Sequence, residues 1–357
     1  MRLTQRTPAG PDADVAAPPP QGGETLDQAA TPRSRPLDWF LHRARGLTPL
    51  LTLAVLVAFF GSTTDYFLDP GNLRNILVQV SPIAIAATGL TFVVLCAEID
   101  LSFANIATMA GIIMAAIWAS DAPMLAIPVA LVAALGLGLL NGVFTARFAI
   151  PSFMVTLAML QISEGITIYI SKGKPYFEVP EILHQLGGSS IGPIPVLVLV
   201  AAAVLTLGHL VLSYTRFGRY VYMTGGNREA AELAGVRVRR VVLACLTISA
   251  LTGALAGLLM AGRLDSAQPG MAGDMLLNGI AAVVLGGTSL FGGEGGVKNT
   301  VIGLLIFGVL SNGLDLLPSI DVYMKTGIQG AILLAALVIN VLAVKLGSIR
   351  TRSIGAG

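Results

Sequence analysis

Apolar runs of about 20 residues, the length that crosses a bilayer as a helix, recur from Leu47 almost to the end of this chain. Backbone placed in lipid must satisfy its N–H and C=O groups internally, so these runs restrict the fold to helices that cross and pack together. Spans are predicted near 47–64, 74–96, 102–120, 123–146, 152–171, 195–214, 241–262, 276–290, 299–317 and 323–345. The expectation is an all-α polytopic membrane protein of about ten transmembrane helices, some broken or re-entrant, with both termini cytoplasmic. Composition excludes an ordinary soluble domain: 54% of the 357 residues are hydrophobic, 12% are charged, and mean hydropathy is +0.79.

Charge placement orients the spans. Arg33, Arg35, Arg43 and Arg45 precede the first run, and alternation then puts Arg147, the island 215–240 and Lys345, Arg350 and Arg352 on the same, inner side. Asp65, Asp69, the loop Ser171–Pro193, the segment 263–274 and the hinge 315–321 fall outside. Residues 1–45 are expected as a disordered cytoplasmic tail, rich in Pro, Gly and Ala, and lack the apolar core of a cleavable signal. A membrane domain at 46–346 and a cytoplasmic tail at 347–357 complete the division. The net charge of +2 supports no nucleic-acid partner. Cys96 and Cys245 lack metal-ligand spacing and read as buried small hydrophobes.

The island reads TRFGRYVYMTGGNREAAELAGVRVRR, with six arginines against Glu229 and Glu232. Gly225-Gly226-Asn227 turns the chain and caps a helix, Arg228 to Ala234 makes about two turns, and Gly235 suits a left-handed stop. Arg228 and Glu232 are spaced to pair, while Ala230, Ala231 and Ala234 leave a low-relief face fit for a partner's groove. A solvated charged loop is the bland reading of the same residues.

Several helices are interrupted. The run 276–290 is short and enters Phe291-Gly292-Gly293-Glu294-Gly295-Gly296, which suggests a re-entrant half-helix buried in protein or lining a cavity. An echo lies at 92–114: both segments run from Val-Val-Leu through a break into another helix, which suggests weak internal duplication, a chance match in so apolar a chain being the alternative. Glu98 and Asp100 sit in the first break and should not face lipid. They either line a pathway or cap the next helix at its positive end. Asn105, Glu164, Asn278 and Asn312, with Gln79, Asn141, Gln161 and Gln329, either line a passage or bond between helices. Gly138 with Gly142, and Gly253 with Gly257, have the spacing that allows close helix contact. No phosphate-binding GxxxxGK[ST], HExxH or GxSxG is present, and His42, His184 and His209 are scattered, so neither ATP hydrolysis nor a metal or catalytic site is expected.

The strings TRFGRYVYMTGGNREAAELAGV (215–236), IAAVVLGGTSLFGGEGGV (280–297), NGVFTARFAIPSFMVTLAM (141–159), EIDLSFAN (98–105) and NGLDLL (312–317) together resemble the membrane permease subunits of bacterial ATP-binding-cassette sugar importers, the ribose, xylose and arabinose branch. The likeness covers about Leu50 to Val344. It implies that Gly226, Asn227, Glu229, Ala230, Ala231 and Gly235 contact an ATPase, and that Glu98, Asp100, Asn105, Glu164, Asn278 and Asn312 are candidates for the path or its gates. It further implies an inner-membrane, non-enzymatic subunit without cofactor. Its partners would be membrane lipid, a cassette ATPase subunit or tandem ATPase, a periplasmic sugar-binding protein, and a second permease copy or paralogue. Departures stand at Ala97-Glu98, where the family tends to Gly-Gly, and at Leu276-Leu277-Asn278-Gly279, where it tends to an acidic stretch. The competing class is an ion- or proton-coupled transporter using Glu98, Asp100 and Glu164 as relays.

Overall fold

The computed structural model describes residues 36–338 except 319, 322, 323, 333 and 335–337, with side chains from residue 48 onward. Helices come in the order α1 (Pro36–Thr63), α2 (Pro70–Leu95), α3 (Phe103–Trp118), α4 (Ala126–Arg147), α5 (Ser152–Ser171), α6 (Glu181–Gly188), α7 (Val196–Tyr214), α8 (Arg216–Gly226), α9 (Arg228–Leu233), α10 (Val238–Leu264), α11 (Gly273–Leu285) and α12 (Val297–Asp315). A two-residue antiparallel pair, β1 (Ser190–Ile191) and β2 (Ile194–Pro195), is the only sheet among the described residues. Six helices are long and apolar enough to cross a membrane, counting the short turn Pro123–Leu125 with α4, and Thr48–Thr63, α3 and α11 are shorter apolar helices. Most of the tenth expected span, 323–345, and the tail 347–357 lie outside the described residues. So does the first part of the tail 1–45, whose expected boundary falls inside α1.

Small residues let these helices approach closely, because lipid supplies little hydrophobic drive for packing. Helix α10 is central and meets α2, α3, α4 and α6. A Cβ on Gly253 would stand 2.7 Å from the Phe103 carbonyl oxygen of α3, and one on Gly257 would run into the Ala107 carbonyl. Gly138 and Gly142 of α4 rest in the same way on Ala250 and Leu243 of α10, so both expected glycine pairs mark real crossings. About three quarters of the apolar window of α2 is buried (78%), against 22% for α4 and α7, which sets inner helices apart from outer ones. Cys96 and Cys245 are both buried free thiols with their sulfurs 3.4 Å apart.

The two expected breaks end their helices identically. Ala97 N–H donates to Val94 and Glu98 N–H to Val93; Gly287 N–H donates to Val284 and Thr288 N–H to Val283. Each pair closes over a left-handed residue, Ala97 (φ 60°) and Gly287 (φ 95°), so the sequence echo is also an echo in backbone. Ala97 bears a Cβ where glycine would be unstrained. Ala97→Gly is expected to stabilise the protein by about 1 kcal/mol, read as a rise in thermal midpoint in detergent.

Contacts also sort the loops by end. The breaks at 96–102 and 286–296 touch the α8–α9 segment at one end, whereas Tyr176 pairs with Ala267 through N–H···O bonds of 2.8 Å at the other. The loop 171–193 is therefore no slack connector: α6 packs on α10, with Gly262 pressed against the Leu183 carbonyl. The sequence reading missed this short helix, whose buried positions Leu183 and Gly187 are four apart.

Candidate functional site

Thr215 starts α8 by accepting from Gly218 N–H (3.1 Å), and Arg216, Arg219 and Tyr220 face out while Val221 is buried and Phe217 stacks on Phe92. This amphipathic helix was not anticipated; the island was read as a turn leading into one short helix. That short helix is present as α9. Asn227, in extended conformation, accepts from Ala230 N–H at 2.9 Å, and Gly235 takes the left-handed stop (φ 80°).

Among the residues assigned to partner contact, Gly226, Asn227, Glu229, Ala230 and Gly235 are exposed. Ala231 is not: at 1% exposure it points into the core with Val221, Val236 and Val242, so it seats α9 and has no surface to offer. Leu233 was overlooked and stands 91% exposed at the end of α9, an apolar tip beside the charged face. Arg228 does not pair with Glu232 as its spacing suggested. Its Nη1 meets Glu98 Oε1 at 3.1 Å, across 130 residues of sequence.

That ion pair joins Glu98 to α9. Asp100 is fully buried, and its Oδ1 accepts from Ser102 N–H (2.8 Å) and Ser102 Oγ (2.7 Å), which anchors the start of α3. Asn141 Nδ2 donates to the same Ser102 Oγ (2.9 Å), so α4 is tied to this break as well. Asn312 forms a reciprocal amide pair with Asn72, at 2.8 and 2.9 Å, linking α12 to the start of α2. This is the interhelical bonding that was the alternative expectation for Asn312. Asn312→Leu is expected to cost about 1 kcal/mol by leaving Asn72 half paired, with most of that recovered in Asn72→Leu/Asn312→Leu; paired denaturation midpoints would show it.

The other three candidates line cavities. Asn105 and Glu164 share a space of about 250 Å³ with Thr108, Thr167 and Gly270, between α3, α5 and the segment before α11. Asn278 borders a second space of about 210 Å³ with Asp274, Ser311, Lys325 and Gln329. Both combine apolar walls with a few convergent amide, hydroxyl and charged groups.

Comparison with known proteins defines the class. The family described as branched-chain amino acid transport system, permease component, matches residues 72–337, and the chain belongs to it. More particularly, it is similar to the ribose import permease protein of Haemophilus influenzae, 36% identical over 300 residues covering 83% of this chain and 93% of that protein. The ribose import permease of Escherichia coli K12 is 36% identical over 82% of this chain and 92% of the relative. The L-arabinose ABC transporter permease of Azospirillum brasilense is 32% identical over 94% of both. The chain is thus a multi-pass membrane permease of the ABC import class.

Proposed function

We propose that this subunit forms the path for a monosaccharide, a pentose or related sugar, across the bacterial inner membrane. Although the family description names branched-chain amino acids, the full-length relatives are named for ribose and arabinose, and cavities with apolar walls and a few convergent polar groups agree with a sugar. A periplasmic binding protein delivers the sugar outside, and a cassette ATPase drives the cycle from within. A second copy of this chain completes the path, and both termini lie on the cytoplasmic side with α8 and α9.

The observation that carries the reading is α9 itself: a capped, core-seated helix whose outer face of Glu229, Ala230 and Leu233 is exposed at the end of the molecule that holds both helix breaks. ATP binding closes the ATPase dimer, α9 moves with it, and the paired subunits alternate between outward and inward openings. The relay proposed for an ion-coupled transporter has no such support. Glu98 is held by Arg228 and Asp100 by Ser102, and no hydrogen bond among the described residues connects either to Glu164.

The test is gentle solubilisation of the tagged protein from its host, with crosslinking, and mass spectrometry of what accompanies it. Recovery of a cassette ATPase and a sugar-binding protein is expected, and the binding protein's ligand names the substrate. Absence of both after crosslinking would remove the reading.

A further inference from the structure

We propose that Glu98 and Arg228 form a strut that makes α9 and both helix breaks move as one body, so that Glu98 is a positioning residue for force transmission. The inference rests on the reading of α9 as the ATPase-docking element.

Backbone already joins the end of α8 to the two breaks. Gly293 N–H of the second break donates to the Leu95 carbonyl of the first at 3.0 Å, and Gly225 lies so close to both that a Cβ there would collide with the Leu95 oxygen. A Cβ on Gly293 would stand 2.8 Å from the Gly226 Cα, and Tyr222 Oη donates to the Gly295 carbonyl at 2.9 Å. The phenol is pushed up from its ordinary pKa by burial, so it keeps the proton that this bond needs. Three segments distant in sequence thus meet as one junction.

Helix α9 lies beyond that junction, across a single extended residue, Asn227 (φ −158°, ψ 108°). One extended residue makes no hydrogen-bonded helical link from the end of α8 to α9, so side-chain contacts must couple α9 to the breaks. Besides the chain leading on to α10, where buried Val236 N–H donates to the Ala231 carbonyl at 3.0 Å, α9 is held by the seating of Ala231 in the core and by the Arg228–Glu98 pair at 3.1 Å. The buried apolar contacts of Ala231 and Val236 belong to the cluster with Val221 of α8 and Val242 of α10 and carry no polar link to the first break. The ion pair is stronger because the Glu98 side chain is only 10% exposed, and a carboxylate so enclosed needs its cation. Glu98 directly follows left-handed Ala97, and two residues later Asp100 anchors α3. Displacement of α9 therefore reaches α3 through Glu98 and the second break through Leu95 and Gly293.

Hydrogen exchange on the full chain in nanodiscs tests it. Arg228→Gln and Glu98→Gln should each raise amide exchange at 96–102 and at 286–296 by about 10-fold, and Glu98→Arg/Arg228→Glu should restore it to within about 3-fold. Unchanged exchange at 286–296 in both single variants, or a swap that restores nothing, would overturn the strut. If Glu98→Gln fails to accumulate, Arg228→Lys against Arg228→Gln decides: the lysine variant should keep exchange near wild type, and equal loosening in the two would overturn the proposal. In the assembled importer the single variants should lower sugar imported per ATP hydrolysed by about 10-fold with ATPase binding intact. A wild-type chain that binds no ATPase would sink the docking reading while leaving the exchange result to judge the strut.

Discussion

Replacing Gly257 by leucine should abolish the folded protein. The atoms that a side chain would meet at this position are the carbonyl oxygen, carbonyl carbon and Cα of Ala107, all backbone, so no rotamer change in a neighbour makes room. Helices α10 and α3 must separate, and α10 is the element on which α2, α3, α4 and α6 converge. Overpacking in a tight core costs about 1–3 kcal/mol and more where backbone must shift, a large part of the stability of any domain. Size-exclusion of the detergent-extracted variant should show aggregate in place of a monodisperse peak. Gly136→Leu, on α4 with nothing within 4 Å of its Cβ position, should behave as wild type and serves as control. A monodisperse Gly257→Leu protein would contradict the packing described for the centre of the fold.

Leu233→Glu is expected to detach the ATPase. Leu233 is 91% exposed on a helix otherwise faced with alanine and charge, and an apolar tip so placed acts as an anchor in a partner's groove. Burying a carboxylate there in place of an anchor should cost about 2 kcal/mol or more, roughly a 30-fold loss in affinity. Glutamate is a good helix former, so α9 should persist and the permease should insert normally. Titration of purified permease with the ATPase reads the effect directly. Affinity within a factor of about 2 of wild type would mean that the partner does not seat on the end of α9.

The sequence announced those parts of the fold that are local. Apolar runs located α2, α5, α7 and α10 closely, because a spanning helix declares itself by composition alone. Asn227 and Gly235 delimited α9, because caps act over three or four residues. The Val-Val-Leu echo marked two breaks that share one backbone stop. What escaped depends on tertiary partners. Spacing offered Glu232 to Arg228, but the nearly buried Glu98 lies across the junction and holds it instead. Asn312 reads in sequence as either a path residue or an interhelical donor, and only the fold supplies the partner Asn72. Ala231 and Ala230 are adjacent in sequence and alike in chemistry, and only the seating of α9 decides that one faces in and the other out. Leu233 was passed over because attention to charges and small residues hid the single large apolar side chain among them. The amphipathic α8 has a legible signal in Phe217 and Val221 facing away from Arg216, Arg219 and Tyr220, and Gly218, Gly225 and Gly226 within it mask that pattern.

The most direct measurement of the central claim is sugar uptake into proteoliposomes that contain this subunit and its cassette ATPase, with the binding protein outside. Labelled pentose should accumulate only when ATP is enclosed and the binding protein is present, and an imposed proton or sodium gradient alone should drive none. Gradient-driven accumulation by this chain without the ATPase would contradict the account.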